Sequence, residues 1–532
     1  MPRYSLAAFL FVLLCTPART QPPNAGVYAI WYGGHPEVLK LPYIKGGQVA
    51  LQWGELQQGF SPLDQALAES AAAGLKALTV QANGSTKPAF LFDKVPSVPN
   101  WGDVQVRDKQ GVLMYWHPVF VAAYTQFIQS FADHLYATPS AVSILGIRQN
   151  FDAVGTEHAV VPEFRAAAKW KVPRGAENAL DWTPAIEEAY KKTVIDTYIK
   201  AFVTGRAHPL TIFVRNNLPE SIRHAEVPGG SGARYADYFR TGKLAWFQTG
   251  SEMEPRAKGS ANYQTFLDYC RTGQTVGYAE PWADAWGGHA GIIDPRWSSP
   301  PQWNYWRVLS DLNMGIAYVA LYSNDLTVAA GGKHNGRDVG SDYQAEFNRA
   351  FEFAAKYAGY AAYPSQAPGA WIAFRQSRTD FSPPDYGKRV TDYAMHMTLE
   401  NPQDTVGLDA RKDGDDVPVV AGRTIAGLKS IGPYQQRYGA WARKLKAGAV
   451  MRLRLDPAFV EHANAGHPGI RVTYLDRGRG TFAVESQEIA LTGSGEWKTV
   501  EVAGQLTGEI RIRGEVVLHM VEVEKQNTGP VE

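Results

Sequence analysis

The sequence predicts an α/β protein in two parts: a (β/α)8 TIM barrel, followed by an all-β jelly-roll sandwich. Eight β-branched or aromatic runs alternate with helical segments over roughly the first 360 residues. The chain changes character at the Pro- and Gly-rich stretch 364–369, and short alternating runs with almost no helix follow it. We therefore expect a signal peptide over residues 1–20, a barrel over 21–365 and a sandwich over 366–532.

The composition indicates a globular protein without a strong charge bias. Of 532 residues, 45% are hydrophobic and 20% are charged, and 53 Lys and Arg balance 52 Asp and Glu to a formal net charge of +1. No long basic or acidic block is present. The sequence therefore gives no indication of nucleic acid or of an anionic membrane as a partner.

The first twenty residues are typical of an export signal. Arg3 precedes an apolar run over residues 6–15, which is too short to span a bilayer as a stable helix, and small and polar residues follow. A lipoprotein signal at Cys15 is disfavoured because the bulky Leu14 precedes it. We expect a secreted or periplasmic protein with no membrane span. Its remaining cysteine, Cys270, is expected to be a buried hydrophobe.

The barrel prediction depends on a repeated unit of strand, helix and strand. Ser61 and Pro62 begin a helix that Gly74 ends, and a strand follows directly. The eight predicted strands are Val27–Tyr32, Gln48–Trp53, Lys76–Gln81, Val142–Ile147, Leu210–Val214, Leu244–Gln248, Thr275–Ala279 and Ile316–Tyr322. The predicted helices are Leu63–Ala73, His117–Tyr136, Ile186–Phe202, Tyr235–Arg240, Tyr263–Gly273, Pro301–Met314 and Asp342–Tyr357. A doubly wound sheet is the alternative, but no glycine-rich phosphate turn follows an early strand.

The second part contains nine candidate strands separated by turns. They are Ala370–Phe374, Asp392–Thr398, Gly439–Leu445, Val450–Leu455, Ile470–Leu475, Thr481–Glu485, Trp497–Val502, Glu509–Ile512 and Val516–Val523. Such a series predicts an antiparallel sandwich.

Active sites of barrels of this type collect at the C-terminal ends of the strands. The stretch VGYAEPWADAWGGH ends the seventh strand and contains Glu280, Trp282 and Trp286. A carboxylate beside indole rings suits a sugar, whose C–H face stacks on aromatic surfaces. An acidic residue that leaves a strand is by itself more often a loop charge, so the second acid of the site decides the interpretation.

That second acid lies in RQNFDAVGTEH, the loop after the fourth strand, which offers Asp152 and Glu157. At this point the chain resembles the clan of retaining glycoside hydrolases whose acid/base follows strand four and whose nucleophile ends strand seven. Three further segments resemble members of that clan that act on β-galactosides and related polysaccharides: LQWGELQQGFSPLDQALAESAAAGLKALTV, WHPVFVAAYTQFIQSFADHLY and WNYWRVLSDLNMGIAYVALY. The resemblance implies Glu280 as nucleophile and Glu157 as acid/base. Because Thr156 stands where most of the clan has asparagine, Asp152 stays open as the alternative acid/base.

Other strand ends offer planar, hydrogen-bonding side chains suited to sugar hydroxyls. The predicted substrate-binding residues are Trp31, Trp53, Asn83, Asn150, Asp152, His158, Arg215, Asn216, Gln248, Trp282, Trp286, Tyr322 and Asn324. Arg215 is a candidate to hold Glu280 ionised or to bind an acidic group of a polysaccharide.

No cofactor or metal is expected. The histidines show neither HExxH nor paired i, i+4 spacing, residues 409–418 lack the spacing of a calcium loop, and no Gly-x-Ser-x-Gly elbow indicates an esterase. Glu252 and Glu254, after the sixth strand, fit binding or loop structure better than catalysis.

The sequence thus predicts a secreted glycoside hydrolase that cleaves β-linked polysaccharides or oligosaccharides with retention. Two carboxyls about 5 to 5.5 Å apart are expected for this mechanism, and about 6.5 to 9.5 Å for an inverting one. The alternatives are a carbohydrate-binding surface protein on an inactive barrel and an inverting hydrolase or transglycosidase. The C-terminal run GIRVTYLDRGRGTFAVES resembles sandwich modules appended to secreted glycosidases, which either bind polysaccharide or buttress the barrel.

Overall fold

Eight parallel strands close into a barrel in the computed structural model. The model describes residues 21–32, 36–99, 106–155, 165–174, 180–215, 233–251, 270–273, 277–281, 300–334, 337–338, 343–374, 392–407, 442–463 and 468–525. The barrel strands are β1 (Gly26–Ile30), β2 (Ile44–Gln52), β3 (Ala77–Asn83), β4 (Ser143–Arg148), β5 (Thr211–Arg215), β6 (Leu244–Ser251), β7 (Gly277–Pro281) and β8 (Ile316–Tyr322). Each pairs in parallel with the next, and β8 returns to β1. The predicted barrel is confirmed.

Most described residues of the barrel strands are buried, as expected for a parallel sheet that is covered on both faces. Every residue of β1 and of β3 is buried. Aromatic rings fill the interior: the ring of Phe213 lies 5.4 Å from that of Tyr278 and 5.9 Å from that of Tyr318. This interior is a packed core, so a site for a ligand has to lie at the strand ends.

Helices of the barrel are α1 (Trp53–Leu56), α2 (Ser61–Ala72), α3 (Pro118–Ala137), α4 (Pro184–Phe202), α5 (Ala233–Arg240), α6 (Pro300–Asn313), α7 (Ser323–Ala329) and α8 (Gln344–Tyr357). α3 and α4 begin with proline, and the preceding side chains of His117 and Thr183 accept backbone N–H groups of the first turn. The apolar residues of α3 at helical spacing are buried, as predicted. The short helices α1 and α7 were not predicted. Most of the predicted helix Tyr263–Gly273 lies outside the described residues, and Cys270, which belongs to its end, is buried.

In the described residues, the second part forms two antiparallel sheets. Its strands are β9 (Gly369–Ala373), β10 (Tyr393–Met395), β11 (Met397–Leu399), β12 (Thr405–Gly407), β13 (Arg443–Leu445), β14 (Val450–Leu455), β15 (Gly469–Leu475), β16 (Gly480–Val484), β17 (Gln487–Leu491), β18 (Trp497–Ala503), β19 (Glu509–Arg513) and β20 (Val517–Glu524). One sheet has the order β10-β9-β20-β13-β12, with β15 pairing with β20 and β18, and the other has the order β11-β14-β19-β16-β17. A shared hydrophobic cluster joins the sheets into a sandwich.

The predicted sandwich is confirmed, with differences of detail. β12, β17 and a short helix, α9 (Pro457–Ala463), were not predicted. The predicted strand Asp392–Thr398 is divided into β10 and β11 at His396, whose φ of +58° does not continue an extended strand.

The last barrel helix packs against the sandwich through polar contacts. Glu522 Oε1, on β20, accepts from Lys356 Nζ at 2.9 Å and from the Tyr357 hydroxyl at 2.6 Å. The Tyr305 hydroxyl lies 2.9 Å from His519 Nε2. In the part of the chain described here, no helix is long and apolar enough to cross a membrane.

Candidate active site

Glu280 is the carboxylate at the mouth of the barrel. It lies on β7, one residue before the end of this strand, and is only 6% exposed. Three side chains from other strands or strand ends donate to it: Arg148 Nη1 to Oε2 at 2.5 Å, the Tyr322 hydroxyl to Oε1 at 2.9 Å, and Trp31 Nε1 to Oε1 at 3.5 Å. The carboxylate is therefore held in place by donors from β4, β8 and the end of β1.

Arg148 is the cation that neutralises Glu280. It ends β4, is 3% exposed, and its guanidinium carbon lies 3.8 Å from the centre of the Phe247 ring on β6. Stacking on an aromatic ring and pairing with a carboxylate both suit the planar guanidinium. Arg215 was the predicted cation for this role, and its backbone ends β5. Among the side chains that the structure describes, Arg148 makes this contact, and the role predicted for Arg215 stays a prediction.

Trp31 is the exposed aromatic ring beside Glu280. Its side chain is 40% exposed although its indole N–H points to the carboxylate. Its φ is +52°, and Asp152, after β4, has a φ of +51°. Strained backbone of this kind is found preferentially at binding and catalytic sites, where the surrounding structure holds it. Among the predicted substrate-binding residues, Trp31 and Tyr322 are thus brought together around Glu280.

Buried amide side chains connect β2, β3 and the loop after β4. Gln48 Nε2 donates to Gln81 Oε1 at 2.9 Å, and Gln81 Nε2 donates in turn to Asn83 Oδ1. Asn150 Nδ2 donates to the same Asn83 oxygen at 3.1 Å and to the carbonyl of Ala82. Because Asn83 and Asn150 are 2% and 0% exposed, they support the mouth from below.

Asp152 is fully enclosed beside the ammonium group of Lys87. Burial raises the pKa of the Asp152 carboxyl to about 8, and the nearby Lys87 opposes this rise. Lys87 Nζ donates to the carbonyls of Gly84, at 2.5 Å, and Val154, at 3.5 Å. A Cβ added at Gly84 would lie 2.6 Å from the Asp152 Cγ, so only glycine fits here.

Trp53 lies in the core and not at the mouth. It is 1% exposed, and its ring stacks on Phe127 at 5.5 Å and meets Phe120 and Tyr124 at 5.5 and 5.1 Å. This corrects the prediction of a sugar-binding ring, because the first residue of α1 turns its side chain toward α3. Asn324 is the second residue of α7, partly buried next to the end of β8.

For several predicted site residues, the structure does not describe the side chain. Glu157, His158, Asn216, Trp282 and Trp286 lie outside the described residues. For Arg215 and Gln248 the structure describes the backbone only, at the end of β5 and within β6. Within the described ranges, no group of three or more His, Cys, Asp or Glu side chains is placed to hold a metal ion.

Comparison with known proteins gives likeness in structure only. No family model and no curated protein matches the chain. Similar solved structures include a β-galactosidase from the psychrophilic Marinomonas ef1 (10% identity over 62% of this chain and 59% of that chain, TM-score 0.34). Another is a family 5 xyloglucanase from Paenibacillus pabuli, with 10% identity over 60% of this chain and 90% of that chain and a TM-score of 0.30. A third is a family 5 glycoside hydrolase from Bacteroides vulgatus, with 11% identity over 91% of this chain and 90% of that chain and a TM-score of 0.24.

This chain covers less than two thirds of the length of two of the similar structures. The chain covers 34% of a Bacillus subtilis protein that it matches at 16% identity and a TM-score of 0.16. It covers 59% of the β-galactosidase. At such low TM-scores these likenesses carry no further weight, and the function is inferred from the site itself.

Two residues of the site escaped the sequence analysis. Arg148 is the first residue of the stretch RQNFDAVGTEH, in which the prediction considered only the acids, and Lys87 lies in a long segment without a motif. The signal for Arg148 was available, since a cation that ends a barrel strand of otherwise apolar residues has to find a buried partner. No comparable signal marks Lys87.

Proposed function

We propose that this protein is a secreted glycoside hydrolase that cleaves β-glycosidic bonds of a polysaccharide or oligosaccharide, with galactose-containing chains as the first candidates. The observation that carries the proposal is the Glu280 carboxylate at the barrel mouth, ion-paired to Arg148 and hydrogen-bonded by Tyr322 and Trp31. A carboxylate fixed beside an exposed indole is suited to a sugar ring stacked on that indole. Export is proposed from the N-terminal signal alone.

The proposed reaction retains the anomeric configuration in two steps. Glu280 attacks the anomeric carbon while Glu157 gives its proton to the leaving glycosidic oxygen, so that a glycosyl-enzyme ester forms and the C–O bond breaks. Glu157 then takes a proton from water, whose oxygen attacks the anomeric carbon and releases Glu280 as a carboxylate. The donors from Arg148 and Tyr322 orient the carboxylate before attack.

Glu157 is kept as the acid/base because Asp152 is completely enclosed. A carboxyl with 0% exposure, packed against Gly84 and beside Lys87, is placed to support the loop after β4 and not to reach a bound sugar. A separation of about 5 to 5.5 Å between the Glu280 and Glu157 carboxyls stays a prediction of the retaining mechanism.

The test is a screen of the purified protein on plant and algal polysaccharides, repeated with Glu280→Gln. The variant keeps the shape of the side chain and should lose at least about 10³-fold in kcat, because the nucleophile is gone. The first-released anomer, followed by NMR, should match that of the substrate. Full activity in Glu280→Gln would exclude the enzyme proposed here, binding without turnover in both proteins would indicate a carbohydrate-binding protein, and the opposite anomer would indicate inversion.

A further inference from the structure

A basic, aromatic surface lies on the mouth side of the barrel, outside the site around Glu280. Residues 165–174, with the sequence RAAAKWKVPR, contain four cations and no carboxylate, although the whole chain has a formal net charge of only +1. We call residues 165–174 the basic rim segment. It belongs to the connection between β4 and α4, which leaves the C-terminal end of β4, so it lies on the same side of the barrel as Glu280.

Three cations of this segment, Arg165, Lys171 and Arg174, are candidates for contact with an external partner. Lys171 and Arg174 are exposed, and Arg165 is half-buried. Among the residues that the structure describes, no carboxylate lies within ion-pair distance of Arg165, Lys171 or Arg174. Asp181 lies beside the segment and offsets part of its charge, but its carboxylate accepts the backbone N–H of Ala167.

Tryptophan rings accompany these charges. The Arg165 guanidinium carbon lies 4.1 Å from the centre of the Trp182 ring. Trp116 and Trp170 meet at right angles, with 5.4 Å between their centres. Trp116 and Trp182 are partly exposed. A guanidinium stacked on an indole leaves its N–H edge free to bind an anionic group, while the ring offers a face to a sugar.

The segment is held in place by neighbouring loops. Ser97 and Lys171 exchange backbone hydrogen bonds at 3.2 and 2.8 Å, and the Trp182 amide donates to the Arg165 carbonyl at 3.1 Å. Trp116 Nε1 donates to the carbonyl of Leu180 at 3.1 Å. The charges are therefore presented by a formed surface, which lowers the entropy cost of binding.

Exposed apolar side chains are found on the same side of the molecule. The large hydrophobic side chains that stand out as exposed in the described residues are those of Trp31, Phe90, Val119, Val172 and Leu180. All five belong to mouth-side connections after β1, β3 and β4 or to the first turn of α3. The partner is thus expected to lie across the mouth and to continue along the rim.

We infer that the basic rim segment binds the negatively charged groups of an acidic polysaccharide whose chain extends from the barrel mouth. The saccharide part of this inference rests on the proposed function. The anionic part rests on Arg165, Lys171 and Arg174, beside which the described residues place no carboxylate within ion-pair distance. The chemistry recognised is a carboxylate or sulfate ester on a sugar chain. Such a contact makes the protein select a charged polymer over a short neutral oligosaccharide.

The experiment measures binding of intact polysaccharides to full-length Glu280→Gln protein by affinity electrophoresis. The rim variant is R165Q/K171Q/R174Q, and its matched control is K76Q/K192Q/K200Q, which removes three exposed cations away from the mouth. Because Arg165 packs on Trp182, K171E/R174E serves as a second rim variant that changes exposed residues only. The probes are polygalacturonate, a sulfated galactan, a neutral galactan and a DNA fragment, at about 0.05 M and about 0.5 M salt.

Both rim variants are expected to lose at least about tenfold in affinity for an anionic polysaccharide at low salt, with the control unchanged and the effect small at high salt. A loss for polygalacturonate alone or for the sulfated galactan alone identifies the anionic group. Equal binding by rim and control variants, an equal loss on the neutral galactan, or DNA binding as tight as that of either acidic chain overturns the inference. Hydrolysis by the wild-type protein is measured separately. If wild type hydrolyses a polysaccharide but the rim variants bind as well as the control, the proposed function stands and the inference fails. If binding depends on the rim but no polysaccharide is hydrolysed, the anionic contact stands and the proposed function fails.

Discussion

Replacement of Arg148 by Met tests whether a buried ion pair organises the barrel mouth. Arg148 and Glu280 are 3% and 6% exposed, and Nη1 lies 2.5 Å from Oε2. Methionine is unbranched and can keep the contact with the Phe247 ring, so the change removes the charge with little loss of packing. The Glu280 carboxylate then keeps the neutral donors Tyr322 and Trp31 but loses the Arg148 cation in a largely dry site.

The expected cost follows from this burial. Two unit charges about 4 Å apart attract each other by about 4 kcal/mol at an effective dielectric constant near 20. Removal of one partner from a buried pair costs about 3 to 5 kcal/mol, because the remaining charge is neither paired nor hydrated. We expect R148M to lower the free energy of unfolding of the protein by about 3 to 5 kcal/mol. The double variant R148M/E280Q should recover a large part of this loss, because neither side chain of the pair then carries a charge.

The assay is urea denaturation at pH 7, followed by tryptophan fluorescence, with wild type, R148M, E280Q and the double variant forming a cycle. R148K is the conservative control: it keeps the charge but not the planar stacking on Phe247, and should fall between wild type and R148M. A loss below about 1 kcal/mol in R148M, or a double variant as unstable as the sum of the single ones, would refute the ion-pair argument.

Three further outcomes follow from the same structure. Trp53→Ala should lower the free energy of unfolding by about 3 to 5 kcal/mol in urea denaturation, since it leaves a cavity beside Phe127, and a change under about 1 kcal/mol would contradict its placement in the core. Asp152→Asn should gain stability relative to wild type as the pH rises from about 4 to about 8. The Asp152 carboxyl of the folded protein keeps its proton up to a pKa of about 8, while that of the unfolded chain ionises near 3.8. The free energy of unfolding of wild type therefore falls across this window, and that of the variant does not. Denaturation at pH 5 and pH 8 measures this, and a difference that stays constant or shrinks toward pH 8 would show that the pKa of the folded carboxyl is not raised. Trp31→Ala should raise KM on a cleaved polysaccharide with stability within about 0.5 kcal/mol, because this side chain is 40% exposed; an unchanged KM argues against a sugar on this ring.

The strands of the barrel were predictable to within a few residues because most of them are predominantly apolar runs between turn residues. Ile316–Tyr322 coincides with β8, and Val142–Ile147 differs from β4 by one residue at each end. Strands with a weaker apolar signal escaped: Gln487–Leu491 has buried residues at only two of its five positions. Short edge strands of this kind are specified by their partners more than by their own residues.

Within the site, Glu280 and Tyr322 were predictable because each lies at the end of a well-marked strand. Trp53 was misplaced because a tryptophan at a strand end looks the same in sequence whether it faces the mouth or turns into the core. The burial of Asp152 was equally hidden, since it depends on Lys87 and Gly84, more than sixty residues away along the chain.

The sequence by itself predicted the eight barrel strands, the sandwich that follows them, and Glu280 as the residue to examine, because hydrophobic periodicity and strand ends are local properties. Only the tertiary structure decided which side chains meet there. Arg148 and Trp31 are 132 and 249 residues from Glu280 in the chain, and they contact it because closure of the barrel brings the ends of β1, β4 and β7 to one face. The cation on Glu280, the enclosure of Asp152 and the position of the basic rim segment follow from that closure and from the loops packed around it.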